Sequence, residues 1–463
     1  MSLREEIPVP SISCLSLRSA SLGIAALALH LFLVASAEAE TRVVANDGSS
    51  EYTRIQTAIE DSMHGDVVEV RPGVYRESLF YGGRRIRVVS TDGPEVTIID
   101  ATGFGSAAVF IFGESRSAQL SGFTLRGGTG RNIEWPASAG RSRTGELPGR
   151  AGADSRAVTF GGAILCNSSS PTLEDLIIVD NQANVGGGLY VILASPFVDR
   201  CTFRSNVAGD GGAIAMESAD LILKECVFED NDSVKGGAIY GSASGLDCHL
   251  GKFFRNSAAE GGAVYMLNNP GRVAALHHSI FFRNKAAVGG AIRCLFGNLD
   301  FRYCIVSHNG RSDLESTEVV YTDSSGILRN NVFSSTADTE HLSCEAGSNL
   351  SYFCNVFWPA PVPEVCQPGA SNISVDPRFC NQKKGDFRYR ADSPLLPENT
   401  PGNCNGIGPY REAECPTLSS ETVRGGQPRV ESETKKGRLS ETREKQFEQV
   451  KRERYREMTP VAP

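Results

Sequence analysis

Tryptophan and methionine are scarce in this chain: its 463 residues include 2 Trp and 5 Met, against 48 Gly, 22 Phe and 12 Tyr. That balance favours strands and turns over helices, and a hydrophobic content of 40% excludes a disordered chain. Basic charge is not concentrated anywhere in the repeats, and the formal net charge is −8, which excludes nucleic acid as a partner. No G-x-x-x-x-G-K string turns the many glycines into a phosphate loop. Closely spaced cysteine pairs and Cys/His clusters are also missing, so no zinc finger or other metal centre is expected. Beyond Ala35 no apolar run approaches the ~20 residues that a membrane helix needs.

Arg4 and Arg18 precede an apolar stretch from Leu22 to Ala35, followed by the small-residue patterns Ala35-Ser36-Ala37 and Ala37-Glu38-Ala39. This reads as a secretory signal over 1–37, cleaved after Ala37 or Ala39, with an uncleaved anchor as the alternative. The expected location is therefore secreted, extracellular or cell-surface, with no membrane span after cleavage. Removal of Cys14 would leave an even number of cysteines in a compartment where disulfides persist. Cys344, Cys354, Cys366, Cys380, Cys404 and Cys415 crowd the end of the folded region and predict a disulfide-tied C-terminal cap of undetermined pairing.

A Gly-Gly pair followed by apolar residues starts at Gly161, Gly186, Gly211, Gly236, Gly261 and Gly289. The first four intervals are 25 residues and the last is 28. Between the pairs runs Phe-x-x-Asn, at Phe203/Asn206, Phe228/Asn231, Phe253/Asn256 and Phe281/Asn284, with Ile178/Asn181 before and Val306/Asn309 after. Each repeat holds two short β-rich runs, neither able to bury its own apolar side chains, so the repeats must stack. Alternation points Leu223, Cys226 and Phe228 inward, above Val198, Cys201 and Phe203 of the preceding coil. The Phe residues should stack about 4.8 Å apart, and each Asn should form an inward turn ladder with its neighbours. The fold expected is all-β: a right-handed parallel β-helix with an N-terminal capping helix.

Less regular coils extend upstream at 67–70, 86–89, 96–99, 109–112 and 120–125. Ahead of them, Thr53-Arg54-Ile55-Gln56 reads as a capping box, with Ile55, Ala58, Ile59 and Met63 on one helical face and Gly65 as the stop. This helix is expected to cover the open end of the core. The β-helix is placed at 42–410 with a Gly/Ser/Arg-rich loop insertion at 129–159. A charged tail follows at 411–463, either a solvated helix or disordered.

The Gly-Gly-Ala-Ile and Phe-x-x-Asn alternation over Gly161 to Asn309 resembles the repeats of chlamydial polymorphic outer-membrane proteins. It also resembles bacterial right-handed β-helix proteins of the pectin-lyase-like superfamily, whose first coil is similar to Ile55-Gln56-x-Ala58-Ile59, Gly65-Asp66-x-Val68 and Pro72-Gly73-x-Tyr75. The resemblance implies a fold and leaves activity open. Its catalytic branches find no match: Val109 stands where the pectin methylesterase string Val109-Phe110-Ile111-Phe112-Gly113 would begin with a catalytic Asp. The Asp pairs and Gly-His-Gly of polygalacturonases are absent, as is the Arg-x-Pro-x-x-Arg of one pectate lyase group. No alternating strand series for a membrane barrel follows the repeats, which departs from the chlamydial pattern.

Superposed coils place Asp199, Lys224, His249, His277 and Arg302 in one outward column and Arg200, Glu225, Leu250, His278 and Tyr303 in the next. One reading is a set of cross-coil charge ladders pairing Asp199 with Lys224, Arg200 with Glu225 and Arg204 with Glu229, each worth a few tenths of a kcal/mol. The other is a binding strip for acidic sugars made by His249, His277, His278, Arg302 and Tyr303. No catalytic residue is assigned and no cofactor is expected, although Asp180, Asp230 and Asp232 could contribute to Ca²⁺ binding. A non-catalytic extracellular scaffold, adhesin-like or glycan-binding, with a polysaccharide or cell-surface partner, is therefore expected. The alternative is a lyase or epimerase acting on uronate-containing glycans.

Overall fold

A computed structural model describes residues 39–132, 158–267, 271–310, 317–335, 340–345, 347–369, 371–400, 404, 406–412 and 415. The expected signal segment, most of the 129–159 insertion and nearly all of the charged tail lie outside the described residues. No helix among the described residues is long and apolar enough to cross a membrane.

The chain from Thr41 onward is a parallel β-solenoid built from three sheets of 13, 11 and 10 strands, called sheets 1, 2 and 3 here. The coil at 214–229 enters through sheet 3 (Ile214–Glu217), turns into sheet 1 (Asp220–Lys224), and turns again into sheet 2 (Val227–Glu229). Three strands per coil replace the two runs expected, because the second run is broken at the left-handed corner residue Glu225 into Asp220–Lys224 and Val227–Glu229. Every repeat strand pairs in register with its equivalents, as Phe203 with Phe228 and Phe228 with Phe253.

That register builds the core. Phe203, Phe228, Phe253 and Phe281 are fully buried, and their rings stack at centroid spacings of 5.1, 4.8 and 4.5 Å with planes within 10° of parallel. The predicted Asn ladder is present: the Asn206 amide donates to Asn231 Oδ1 (3.1 Å) and to the Ile178 carbonyl (2.9 Å), and Asn231 and Asn256 repeat the pattern. Asn284 continues it across the longer interval. It lies 28 residues beyond Asn256, yet its amide still donates to Asn309 Oδ1 (2.8 Å) and to the Phe253 carbonyl (2.9 Å), so the extra residues are absorbed outside the ladder. Each buried amide thereby satisfies a backbone carbonyl of the preceding coil and the side chain of the next one. The ladder ends on a carboxylate rather than on another asparagine. Asn309 donates its backbone N–H to Glu318 Oε1 (2.9 Å), while Glu318 Oε2 lies 2.6 Å from His341 Nδ1, both side chains fully buried.

Backbone proximity explains the paired glycines. Gly211 adopts φ +65°, and a Cβ there would sit 2.1 Å from the Ile214 carbonyl; one on Gly212 would sit 2.3 Å from the Gly237 carbonyl of the next coil. The corner between sheets 1 and 2 holds a second inward column, Cys201, Cys226, Gly251, Ser279 and Cys304, each preceded by a left-handed residue. Gly251 departs from the pattern because Cys248 Sγ fills the space its Cβ would need, 2.6 Å away. The column then changes chemistry and becomes another asparagine ladder, Asn331, Asn355 and Asn372, joined by side-chain bonds of 3.0 and 3.1 Å. Its thiols stay unpaired and buried, Cys201, Cys226 and Cys304 among them.

Several expectations need correction. The one α-helix among the described residues spans Ile55–Glu60 and buries Ile55, Ala58 and Ile59, but Met63 lies beyond it and is 72% exposed. Thr53 does not cap it: Arg54 is the N-cap with no side-chain bond, and the buried Glu77 carboxylate accepts the N–H groups of Ile55 and Gln56 at 2.9 Å each. A carboxylate from the next coil serves the helix dipole better than a local hydroxyl. Ile111 and Phe112 leave their strand, which is Ala108–Phe110, and are exposed; the run 120–125 is two strands, Gln119–Ser121 and Thr124–Arg126, in different sheets. At the insertion, Arg131–Asn132 pairs antiparallel with Thr159–Phe160, which holds the described ends together.

The C-terminal cysteines form three disulfides, Cys344–Cys366, Cys354–Cys404 and Cys380–Cys415. They tie down a strap as well as an end. After the last sheet 1 strand, Gln367–Pro368, the chain turns back and lays Phe387, Tyr389, Leu395, Leu396 and Ile407 over sheet 2. The outward positions it covers are Ile280, Ile305, Val332 and Val356, whereas the same column in earlier coils is mixed and carries Ile177, Thr202, Val227 and Lys252. The column thus becomes uniformly apolar where the strap lies.

Emptying one member of the stacked ring column should be costly. Phe228→Ala should destabilise the protein by about 3–5 kcal/mol in urea unfolding, the range for a buried Phe truncation. Stability equal to the parent would show that the ring column does not carry the core.

Candidate functional site

Because equivalent residues stack, each exterior feature is a column rather than a point. The repeat signature itself contributes nothing to the exterior: Phe203, Asn206, Phe228, Asn231, Phe253, Asn256, Phe281 and Asn284 are all fully buried in the core. On the outer face of sheet 1, Asp199, Lys224, His249, His277 and Arg302 are successive register partners, and Arg329 follows Arg302 directly. The column is one coil longer than the repeat pattern indicates, since Arg329 precedes Asn330 rather than a recognisable repeat signature. Lys224 and His249 are exposed, and His277, Arg302 and Arg329 half-buried. Asp300 sits within the strip: Arg302 Nε donates to it at 2.5 Å, and His277 Nε2 lies 3.7 Å away. Arg329 packs its guanidinium 5.1 Å from the Phe353 ring centroid.

The second column is the corner between sheets 1 and 2, where Arg200, Glu225, Leu250, His278 and Tyr303 all take φ between 49° and 60°. Here His278 and Tyr303 stack along the axis, and His249 of the first column packs tilted against His278. His278 lies 5.0 Å from His249 and 5.0 Å from Tyr303, nearly parallel to the tyrosine. Arg411 lies over the Tyr303 ring, 4.6 Å from its centroid. Burial, with the neighbouring His249, Arg411 and His277, pushes His278 down to about 4, so it is a neutral ring at physiological pH. The five predicted residues, His249, His277, His278, Arg302 and Tyr303, therefore do come together, but as a mixed surface of cations and neutral rings.

The expected charge pairs do not form as drawn. Asp199 is buried, 4% exposed, and its carboxylate pairs with Arg200 of its own coil instead of Lys224. Arg200 reaches back to Glu174 and Asp175, Lys224 pairs with Glu225 at 3.5 Å, and Glu229 and Asp230 are both taken by Arg255. An arginine at a left-handed corner is long enough to fork across two carboxylates of the preceding coil, which a one-to-one register scheme cannot foresee. Asp230 is thereby committed to an arginine. No group of three or more His, Cys, Asp or Glu suited to hold a metal occurs among the described residues.

A second chemical face lies outside the expected sites. The outward column of sheet 3 runs Leu165, Tyr190, Ala215, Tyr240, Tyr265 and Arg293, every one buried. Tyr240 and Tyr265 stack at 5.7 Å, and Lys235 lies 5.5 Å from the Tyr265 centroid. Carboxyls stand on either side in the chain: Asp210 precedes the Gly pair of one coil and Glu217 ends its strand. Burial raises Asp210 to about 6 against the opposing pull of Lys235, and burial with nearby Asp210 raises Glu217, which Tyr190 holds down in part. The signal was legible in principle. Tyrosine recurs four residues after Gly186, Gly236 and Gly261.

No family model and no curated protein matches the chain. Among solved structures it is similar to the pectate lyase Pel9A, with 12% identity and a TM-score of 0.43, over 81% of this chain and 97% of that one. It is also similar to a pectin methylesterase from carrot (12% identity, TM-score 0.34, 75% and 91% covered). A third is the A-module of the mannuronan C-5 epimerase AlgE6 of Azotobacter vinelandii (12% identity, TM-score 0.33, 70% and 94% covered). Likeness at this level says nothing of what the present chain does. None of the comparisons supports the likeness to chlamydial outer-membrane proteins.

The depressed basicity of His278 has a measurable sign. Between pH 6.5 and about 4 the unfolded chain takes up a proton that the folded ring refuses, so this residue's contribution to stability falls as pH drops through that window. An NMR titration of His278 should give a midpoint near pH 4, and His278→Gln should flatten the pH dependence of thermal unfolding there. A midpoint at the ordinary histidine value would show that the ring is open to water.

Proposed function

We propose that this protein is an extracellular scaffold that binds an acidic polysaccharide along the outer face of sheet 1. One observation carries the reading: Lys224, His249, His277, Arg302 and Arg329 occupy one exterior column in consecutive coils, each the register partner of the next. Like charges placed directly opposite across strands are destabilising, so folding alone gives no reason for Arg302 and Arg329 to be neighbours. A linear polymer with a carboxylate or sulfate on successive units supplies one. Tyr303 and the neutral His278 stack on each other beside this column, which leaves its basic side chains as the groups that meet the polymer. Asp247 and Asp300 offset part of the positive charge, so binding should be moderate and should weaken with salt.

The extracellular setting is supported by the three disulfides and by the apolar N-terminal stretch read as a secretory signal. We take the coil to be right-handed, the hand that parallel crossovers adopt in nearly all cases, and the Ile55–Glu60 helix to cover its N-terminal end.

Replacing His249, His277 and Arg302 together with Ser should leave urea stability within about 1 kcal/mol of the parent, because exposed pairs contribute little. The same variant should lose retention on an acidic-glycan array. Retention unchanged by the triple substitution would remove sheet 1 as the binding face.

A second reading, a uronate lyase or epimerase, is favoured by the carboxyls of sheet 3. A general base is most effective when its pKa lies near the working pH, and Asp210 at about 6 meets that condition beside tyrosines that could pass a proton. If this is its role, product formation from polyuronates should rise as pH increases through about 6 and vanish in Asp210→Asn. Assay for unsaturated products, and for epimerised ones by NMR, decides it: no turnover at any pH leaves the scaffold.

A further inference from the structure

Two arginines stand next to each other at the C-terminal end of the basic column. Arg302 and Arg329 are direct register partners on sheet 1, so their backbones lie one strand spacing, about 4.8 Å, apart. Each is held by its Nε alone. Arg302 Nε donates to Asp300 Oδ1 at 2.5 Å, and Arg329 Nε donates to Asn330 Oδ1 at 3.1 Å. Among the described residues no hydrogen bond reaches the terminal nitrogens of either arginine, and Asp300 is the one carboxylate that pairs with either of them. The forked end of both guanidiniums is therefore unused.

The holding groups are themselves fixed. Asn330 is fully buried, and its amide nitrogen donates to the carbonyls of Cys404 and Gly406 at 2.8 and 2.7 Å, which leaves Oδ1 as the end that meets Arg329. The strap, tied by Cys354–Cys404, thus sets the orientation of an amide that positions a side chain on sheet 1. Phe353, the next register partner in the column, closes the far side, its ring centroid 5.1 Å from the Arg329 guanidinium. Arg302 is 39% exposed and Arg329 half-buried, so the pair remains open to a ligand.

The number of oxygens decides what such a pair holds best. A carboxylate has two oxygens in one plane, and a single arginine fork engages both. A sulfate or phosphate ester carries three terminal oxygens as a tripod, so two can meet one fork while the third reaches the other arginine. We infer that Arg302 and Arg329 form a clamp for one tetrahedral oxyanion ester, sulfate or phosphate, and that this clamp makes the polymer bound on sheet 1 an ester-bearing glycan rather than a plain polyuronate. The inference rests on the glycan-binding reading of sheet 1 and narrows its ligand. Asp300 and Asn330 are positioning residues of the clamp.

The test measures binding of the full chain to three glycans matched in length and in acid groups per unit: a polyuronate, a sulfate-ester glycan and a phosphate-ester glycan, all at one salt concentration. The parent should bind the esters about tenfold more tightly than the polyuronate, the difference of one charge-assisted contact, and the tighter ester names the source. Arg302→Lys and Arg329→Lys keep the charge and remove the fork. Either should bring the ester-to-uronate ratio close to one, and the double variant should lower it no further, because both arginines serve the same anion. Urea midpoints should match the parent. If the parent binds all three glycans equally and the His249/His277/Arg302 variant binds none, the clamp is wrong and the sheet 1 reading stands. A preference kept in the double Lys variant also overturns the clamp, as does a urea midpoint that falls in step with the ratio. A parent that binds none of the three overturns the reading and the inference together.

Discussion

In-register stacking is the constraint on which everything else in this molecule depends. Each residue of a coil faces its own equivalent above and below, so any side chain must be compatible with copies of itself at strand spacing. Phe228 between Phe203 and Phe253 meets that condition through nearly parallel rings, and Asn231 between Asn206 and Asn256 through an amide that is both donor and acceptor. Charged residues meet it poorly. The interior ladder therefore terminates on Glu318 only where His341 is available to share the buried carboxylate.

Where the repeat weakens, other devices take over. The later coils exchange a thiol and hydroxyl column for Asn331, Asn355 and Asn372, and the covalent links are concentrated in the same region. Sheet 2 there presents Ile305, Val332 and Val356 outward, which would be an exposed apolar patch without the strap. The thiols of the regular coils remain unpaired because the core already holds them; burial pushes Cys226 up to about 12, far from the reactive thiolate form.

Stacking also shapes the exterior chemistry. A substitution at one coil position creates one element of a column, and function arises when neighbouring coils carry related residues. Sheet 1 accumulates basic side chains from Lys224 to Arg329, and sheet 3 accumulates tyrosines beside raised carboxyls. The two faces differ in access. The cationic column is exposed or half-buried, which suits polymer binding, whereas the tyrosine column is buried among its own walls.

The repeat made much of this fold legible before any coordinates. A spacing of 25 residues between glycine pairs, an alternation that points Phe228 and Cys226 inward, and one Asn per coil define the stack, because a period fixes which residues are neighbours. Even Asn284, set 28 residues beyond Asn256, keeps its place, because the Phe-x-x-Asn spacing within the coil is unchanged. The same logic placed His249, His277 and Arg302 in one column. It could not supply what depends on side-chain reach or on contacts between distant segments. Arg200 and Arg255 fork backward to carboxylates that a register scheme gives to other partners, and Glu77 replaces Thr53 as the helix cap from a coil away. Arg329 carries no motif of its own, so only its register revealed it, whereas the sheet 3 tyrosines recur at a fixed distance after the glycine pairs and needed the fold only to give them a face. Arg411 stands over Tyr303 because a strap, three disulfides and an apolar face bring the chain back upon itself; sequence periodicity describes what recurs, and that return occurs once.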